Sequence, residues 1–155
     1  MIQEIPSEGR LAGIDYGTVR IGIAISDAGR HLASPYENYT RADASADQRR
    51  FLRLVQEEEI VGFVVGLPVY ASGDESQKSY EARQFGQWLK DISSLPVVFF
   101  DERYTSVQAE QILGEAQLTS KKRKKRLDML AAQIMLEAFL ESYGQGTDRP
   151  GGLDD

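Results

Sequence analysis

Residues 11–27, LAGIDYGTVRIGIAISD, decide how this chain folds. Ile21, Ile23 and Ile25 alternate with Gly22, Ala24 and Ser26, the period of two that lays one side of a strand against a core. An apolar run at residues 11–14 makes a second short strand. Gly17-Thr18 sits where the chain must reverse, with glycine to supply any positive φ the turn requires. The stretch is therefore an antiparallel hairpin whose first strand ends on Asp15. A carboxylate at a strand end, near backbone amides and open to solvent, is suited to a metal ion or a phosphate. The competing reading is an Asx turn, because Asp-Tyr-Gly is an ordinary turn sequence. Taken alone, the two readings of Asp15 stand even.

Working outward, residues 1–10 carry Pro6 and Gly9 without periodicity and form a loose lead-in. Residues 31–40 make a third strand, placed at a sheet edge because Pro35 cannot donate to a ladder. A helix is expected over 45–59, capped by Asp43 or Ser45, with Phe51, Leu52, Leu54 and Val55 turned inward. Residues 60–66, IVGFVVG, are a short β-branched run of the kind found in strands covered on both faces, usually parallel ones. Leu67-Pro68 ends it. The loop at 72–79 is either a flap over a site or a plain connection. A second helix spans 77–92, with Ala82, Phe85, Trp88, Leu89 and Ile92 on one side. Phe85 and Trp88 fit a core stripe better than a platform for stacking bases. VVFF at 97–100 is another buried strand, ending at Asp101-Glu102-Arg103. Thr105 with Gln108 makes a capping box for a helix to about residue 116, and a last helix runs over 124–143. Residues 144–155, GQGTDRPGGLDD, read as a disordered tail. The expectation is one α/β domain over 11–143, a mixed five-stranded sheet with helices on both faces.

Composition limits the partners. No apolar run is long enough to cross a bilayer, and no basic-then-apolar leader opens the chain, so a cytoplasmic protein without a membrane partner is expected. The lack of cysteine removes disulfides and thiolate metal sites. Length and composition do not distinguish a monomer from a weak homodimer. The net charge of −6 argues against an all-over positive coat. Yet Lys121, Lys122, Arg123, Lys124, Lys125 and Arg126 form one run, either a solvated loop or helix start, or a patch that tracks phosphates. His31 is the only histidine and sits at the surface, so a histidine acid–base mechanism is not expected.

Three acid positions stand out by location. Asp15 ends the first strand, Asp101 and Glu102 end the VVFF strand, and Asp128 lies in the last helix beside Ala131 and Ala132. Two alanines let that helix pack close against the sheet and bring Asp128 toward the strand ends. Parallel strands sharing a C-terminal edge deliver Glu102 there too. If Asp128 is buried, it needs a partner or a metal; if exposed near the helix start, it only favours the dipole. Carboxylates gathered at one edge repel and call for a cation, and hard oxygen ligands suit Mg²⁺ or Mn²⁺. Such ions activate water and stabilise the leaving oxygen in phosphodiester hydrolysis.

IDYGTVRIGIAISD, VVGLP, FFDERYTS and RLDMLAAQIML, in that order over about residues 11–143, resemble the YqgF family, Holliday-junction-resolvase-like proteins also named pre-16S rRNA nucleases. The resemblance implies an RNase H-like fold and a metal-dependent endonuclease. It implies cleavage of structured RNA at the 5′ end of 16S rRNA precursor, leaving a 5′-phosphate and a 3′-hydroxyl. It also implies Asp15, Glu102 and Asp128 as the acids, Asp101 as a helper, Mg²⁺ or Mn²⁺ as cofactor, and pre-rRNA, free or within a ribosomal particle, as partner. Arg20, Arg103 and the run from Lys121 to Arg126 would contact the phosphate backbone, although for Arg20 and Arg103 a simple ion-pair role has equal standing. Several nucleases of this wider fold end the central strand in an acid. Here that strand ends Gly66-Leu67-Pro68, so the second carboxylate must come from the neighbouring strand. Branched DNA is the alternative substrate. Two further classes compete: a nucleotide-handling protein, since strand-Asp-Gly-Thr-strand also resembles the first phosphate loop of actin- and hexokinase-like ATPases, and an RNA-binding or ribosome-assembly protein that does not cut. The missing second phosphate loop weighs against the former, and three acids that would repel phosphate weigh against the latter.

Overall fold

The computed structural model describes residues 5–68, 76–102 and 120–144, with backbone only over 120–128. Five strands, β1 (Arg10–Asp15), β2 (Arg20–Ser26), β3 (Ala33–Thr40), β4 (Ile60–Leu67) and β5 (Val97–Asp101), form one sheet in the order β3-β2-β1-β4-β5. β2 is antiparallel to both β1 and β3, whereas β4 is parallel to both β1 and β5. The helices are α1 (Ala44–Glu58), α2 (Gln77–Ser93) and α3 (Ser120–Phe139), the last running into a π turn, Leu140–Gly144. Among the described residues no helix is long and apolar enough to cross a membrane.

Each element follows from local chemistry. β4 lies between two parallel partners and buries every residue except Val61, which is why IVGFVVG has no polar positions. β3 takes the edge, and its register shifts between Ile23 and Ala24 as Pro35 comes opposite Ala24. The irregularity accommodates a residue that cannot donate to the ladder. Asp43 caps α1 by accepting from the Ala46 amide at 2.8 Å, and Glu59, at φ 55°, closes it in the left-handed region. Ser76 caps α2 by accepting from the Ser79 amide at 3.0 Å, while its own hydroxyl donates to the Pro68 carbonyl at 2.9 Å. That second bond fixes the start of α2 beside the end of β4.

The sheet carries two cores. On one face α1 and α2 cover Ala12, Ile14, Ile21, Ile23, Phe63 and Val65, with Phe51 and Phe85 between. On the other, α3 covers Leu11, Ala24 and Val64. A Cβ added at Gly13 would stand 3.0 Å from the Leu136 Cβ and 3.4 Å from the Ala132 carbonyl oxygen, so α3 lies directly on β1. The buried Ala132 supplies the close approach expected of it.

Four expectations change. The basic run lies inside α3, which begins at Ser120 rather than near 124; lysine and arginine are good helix formers, and no glycine or proline interrupts them. Gly17 does not adopt positive φ, since Gly9 alone of the described glycines does. Its need is space, because a Cβ there would overlap the Arg20 carbonyl. His31 is exposed but precedes β3 in a turn. The lead-in is fastened at its end, where the buried Arg30 donates to the carbonyls of Gly9 at 2.9 Å and Glu8 at 3.2 Å. The helix expected to 116, residues 72–75 of the 72–79 loop, residues 1–4 and the tail from 145 lie outside the described residues.

The corner between β3 and α1 turns on Asp47, which is 1% exposed and accepts from the Tyr39 hydroxyl at 2.6 Å and the Ala42 amide at 2.9 Å. Burial, and then this carboxylate, push the Tyr39 phenol up to about 12. The folded protein therefore keeps that proton more tightly than the unfolded chain, whose tyrosines titrate near about 10. The resulting stabilisation is complete below that value and is lost as pH rises through the folded midpoint. Absorbance titration near the phenolate band should show one of the seven tyrosines ionising last, with a midpoint near 12, and Asp47→Asn should bring it down.

Candidate active site

Asp15, half-buried, ends β1 opposite Gly22. Side chains alternate along the strand, so Asp15 shares the α3 face with Gly13. At the end of β5, Phe100 faces the same core, opposite Gly66 of β4, and Glu102 follows two residues later. Between the two acids β4 offers no side chain. A Cβ at Gly66 would come within 2.8 Å of the Glu102 Cγ and 2.9 Å of its Cδ. Glu102 therefore lies across the bare backbone of the intervening strand, and its carboxyl hydrogen-bonds with that of Asp15.

Two carboxyl groups can share a hydrogen bond only with a proton between them. Burial holds the Glu102 carboxyl above its usual 4.5, the Asp101 carboxylate adds to the effect, and the Lys78 ammonium and the bond to Asp15 oppose it. The pocket thus penalises a second bare negative charge while offering only hard oxygen donors, the chemistry that Mg²⁺ and Mn²⁺ satisfy. The residues fit such an ion, with Asp15 and Glu102 as its ligands and Asp128 as the third candidate. Among the described residues no cluster of three metal-ligating side chains forms.

The remaining expected residues fall out as follows. Asp128 lies in α3 one turn before Ala132, about 6 Å along the axis from the contact with β1; its side chain is outside the described set. The alternation of β5 turns Asp101 toward the α2 side, so it reaches Glu102 as a neighbouring charge. Arg20 opens β2 and lines a cleft of about 560 Å³ together with Thr18, Lys78 and Glu81. Arg103 and the side chains of Lys121, Lys122, Arg123, Lys124, Lys125 and Arg126 are outside the described residues.

Sequence reading missed two participants. Gly66 carried a signal, since a lone glycine inside a strand marks a close approach. Lys78 carried none, because only the placement of α2 against β4 brings it near Glu102. Phe85 and Trp88 both belong to the core stripe as expected, Phe85 buried and Trp88 half-buried against it, and both also line an open cleft.

Carboxyl carbon NMR on metal-free protein should place the Glu102 midpoint above 4.5. Lys78→Met should raise it further by removing an attractive charge. Gly66→Ala should lower it by pushing the carboxyl out toward water. Because the folded pKa is the higher one, this group's contribution to stability is full below the unfolded pKa and is lost as pH rises through the folded value.

Residues 9–142 match the RuvX family, described as Holliday junction resolvase. Curated relatives named "Putative pre-16S rRNA nuclease" include one from Rhodopirellula baltica, 47% identical over 88% of this chain and 79% of its own length. Another, from Neisseria gonorrhoeae, is 42% identical over 90% of this chain and 92% of its own. Among solved structures, Thermus thermophilus RuvC in complex with a Holliday junction substrate superposes with a TM-score of 0.52 at 17% identity, covering 89% of this chain and 98% of that one. RuvC from the same organism without that description gives 0.50 at 15% identity, covering 88% and 98%. At such identity the likeness is one of fold, the RNase H-like sheet with its helices on both faces. The chain belongs to the RuvX family.

Proposed function

We propose that this protein is a metal-dependent endonuclease that hydrolyses phosphodiester bonds in structured RNA, acting in the cytoplasm at the 5′ end of 16S rRNA precursor. The observation that carries this reading is the Glu102–Asp15 carboxyl pair, formed across Gly66 at the C-terminal edge of the parallel strands. The names of relatives sharing 36–47% of their residues with the chain support the substrate class.

Asp15, Glu102 and Asp128 would hold Mg²⁺ or Mn²⁺, which when bound supplies Lewis acidity for activating water and neutralising the leaving oxygen. Without that charge, burial and the Asp101 carboxylate raise the Glu102 carboxyl above its usual 4.5. Asp101 sharpens the demand for positive charge at Glu102, and Lys78 meets part of it from the first turn of α2. Arg20 and Lys78 flank the open cleft beside the acids and orient a phosphate there. Arg103 and the run from Lys121 to Arg126 track the strand farther along, within a ribosomal particle or on free precursor.

Asp15→Asn should reduce Mg²⁺- or Mn²⁺-dependent cleavage of a precursor RNA by at least about a hundredfold, while RNA binding by anisotropy stays within a few-fold of wild type. Undiminished cleavage by the purified variant would overturn the site. A second reading, branched DNA, is favoured by the family's description as Holliday junction resolvase. A four-way junction assayed beside the precursor RNA, with the same preparation and metal, decides between the substrates.

A further inference from the structure

The second cleft lies on the α1 and α2 face of the sheet, bounded by the β1–β2 turn, α1 and α2, and measures about 420 Å³. That volume suits a single nucleoside. Its walls are flat. Trp88 stands 5.3 Å from the Phe85 ring, and Tyr16 stands 5.2 Å from it. The Arg41 guanidinium lies 5.4 Å from the ring centres of both Tyr16 and Phe85.

Arg41 is held in advance. It donates to the Tyr16 hydroxyl at 3.0 Å and lies 3.4 Å from the buried Asp47 carboxylate, itself fixed by Tyr39 and Ala42. Its charge is thus met within the protein, which makes it a poor phosphate ligand. What it presents is a rigid planar face in an aromatic surround, the kind of surface on which unpaired bases stack. On α2, Glu81 and Gln84 add a carboxylate and an amide to the rim, able to meet the hydrogen-bonding edge of a base.

The cleft adjoins the one that holds Arg20 and Lys78 and begins one residue past Asp15. Tyr16 directly follows Asp15, so alternation points the two side chains to opposite faces at the same end of β1. Thr18 and Glu81 line both this cleft and the one containing Arg20 and Lys78. A strand with a phosphate at the acids would enter this cleft at Tyr16 and Thr18, the end of it next to Asp15.

We propose that the cleft formed by Tyr16, Arg41, Phe85 and Trp88 is a nucleobase subsite, taking an unpaired base next to the phosphate at Asp15. This rests on the nucleic-acid reading above and extends it to a requirement for an unstacked nucleotide beside the cleavage point.

Trp88 is the chain's single tryptophan, so its emission reports on this cleft alone. The test uses the full chain carrying Asp15→Asn, titrated with a short single-stranded oligoribonucleotide and with an abasic oligomer of the same length and charge, followed by anisotropy and by Trp88 emission. The expected result is that both bind in a salt-dependent way, only the base-bearing oligomer quenches Trp88, and Arg41→Lys weakens that oligomer roughly tenfold while leaving the abasic one unchanged. Binding with no base-dependent quenching overturns the subsite and leaves the nucleic-acid reading standing. Absence of binding to either oligomer overturns both. Guanosine monophosphate and inorganic phosphate form the remaining arms. Saturation by the free nucleotide at micromolar concentration, uncompeted by the oligomer, would assign the cleft to a free nucleotide and overturn the strand assignment. Quenching by phosphate alone would show an anion site and overturn the base assignment.

Discussion

The active end of this protein depends on one contact, the Glu102 carboxyl lying over Gly66 to reach Asp15. Two ionised carboxylates about 4 Å apart would repel by roughly 4 kcal/mol at the effective dielectric of a protein surface. That is a large fraction of the stability of a small domain. A proton, the nearby Lys78 ammonium or a bound cation relieves that repulsion. Folding brings the acids together, and their repulsion becomes the affinity for whatever positive charge relieves it. A site of this kind selects its occupant by charge density and ligand hardness before geometry refines the choice.

The two faces of the sheet are built differently, and the difference serves the site. Under α1 and α2 the core is aromatic, with Phe51 edge-on to Tyr39, Phe85 and Trp88. Under α3 the contact is made by absent side chains. Gly13 admits Leu136 and the Ala132 carbonyl, and Gly66 admits Glu102. The aromatic side gives rigidity to strand ends that must hold carboxyls within a fraction of an ångström. The bare side gives proximity. A larger residue at either glycine would not merely crowd the core; it would separate β1 from α3, or Glu102 from Asp15.

The hairpin, the edge position of Pro35, the buried parallel β4, the Asp43-capped α1 and the striped α2 were legible because each rests on local pattern: alternation, a missing donor, an unbroken β-branched run, a side chain that can cap, an apolar helical face. Asp15 and Glu102 were legible as ends of strands. Their partnership across β4 was not, because it depends on a residue whose contribution is having no side chain. Lys78 was illegible for a related reason, since no periodicity within α2 says which sheet edge its first turn overhangs. Trp88 was legible as a member of the core stripe, and it packs edge-on to Phe51. That it also lines a cleft was not, because a stripe does not reveal where along its length the partner surface stops. The basic run was split by a helix start near 124, whereas backbone propensity carries the helix through all of it from Ser120.

Net charge is the weakest guide of all here. A chain at −6 that must bring a polyanion to a cluster of acids looks self-defeating. At physiological salt, however, exposed charges more than about 8 Å apart are largely screened from each other. The acids scattered over α1 then matter little to a phosphate arriving at β1. On the proposed reading it would meet Arg20 and Lys78 at the cleft, and a carboxyl pair whose charge the Lys78 ammonium opposes. On the far side of the same turn, Arg41 is satisfied by Asp47 and offers a surface in place of a charge. The two clefts thus divide the chemistry of a nucleotide between them, one suited to the anionic part and the other to the flat, uncharged part. The five residues from Asp15 to Val19 are the hinge on which that division is made.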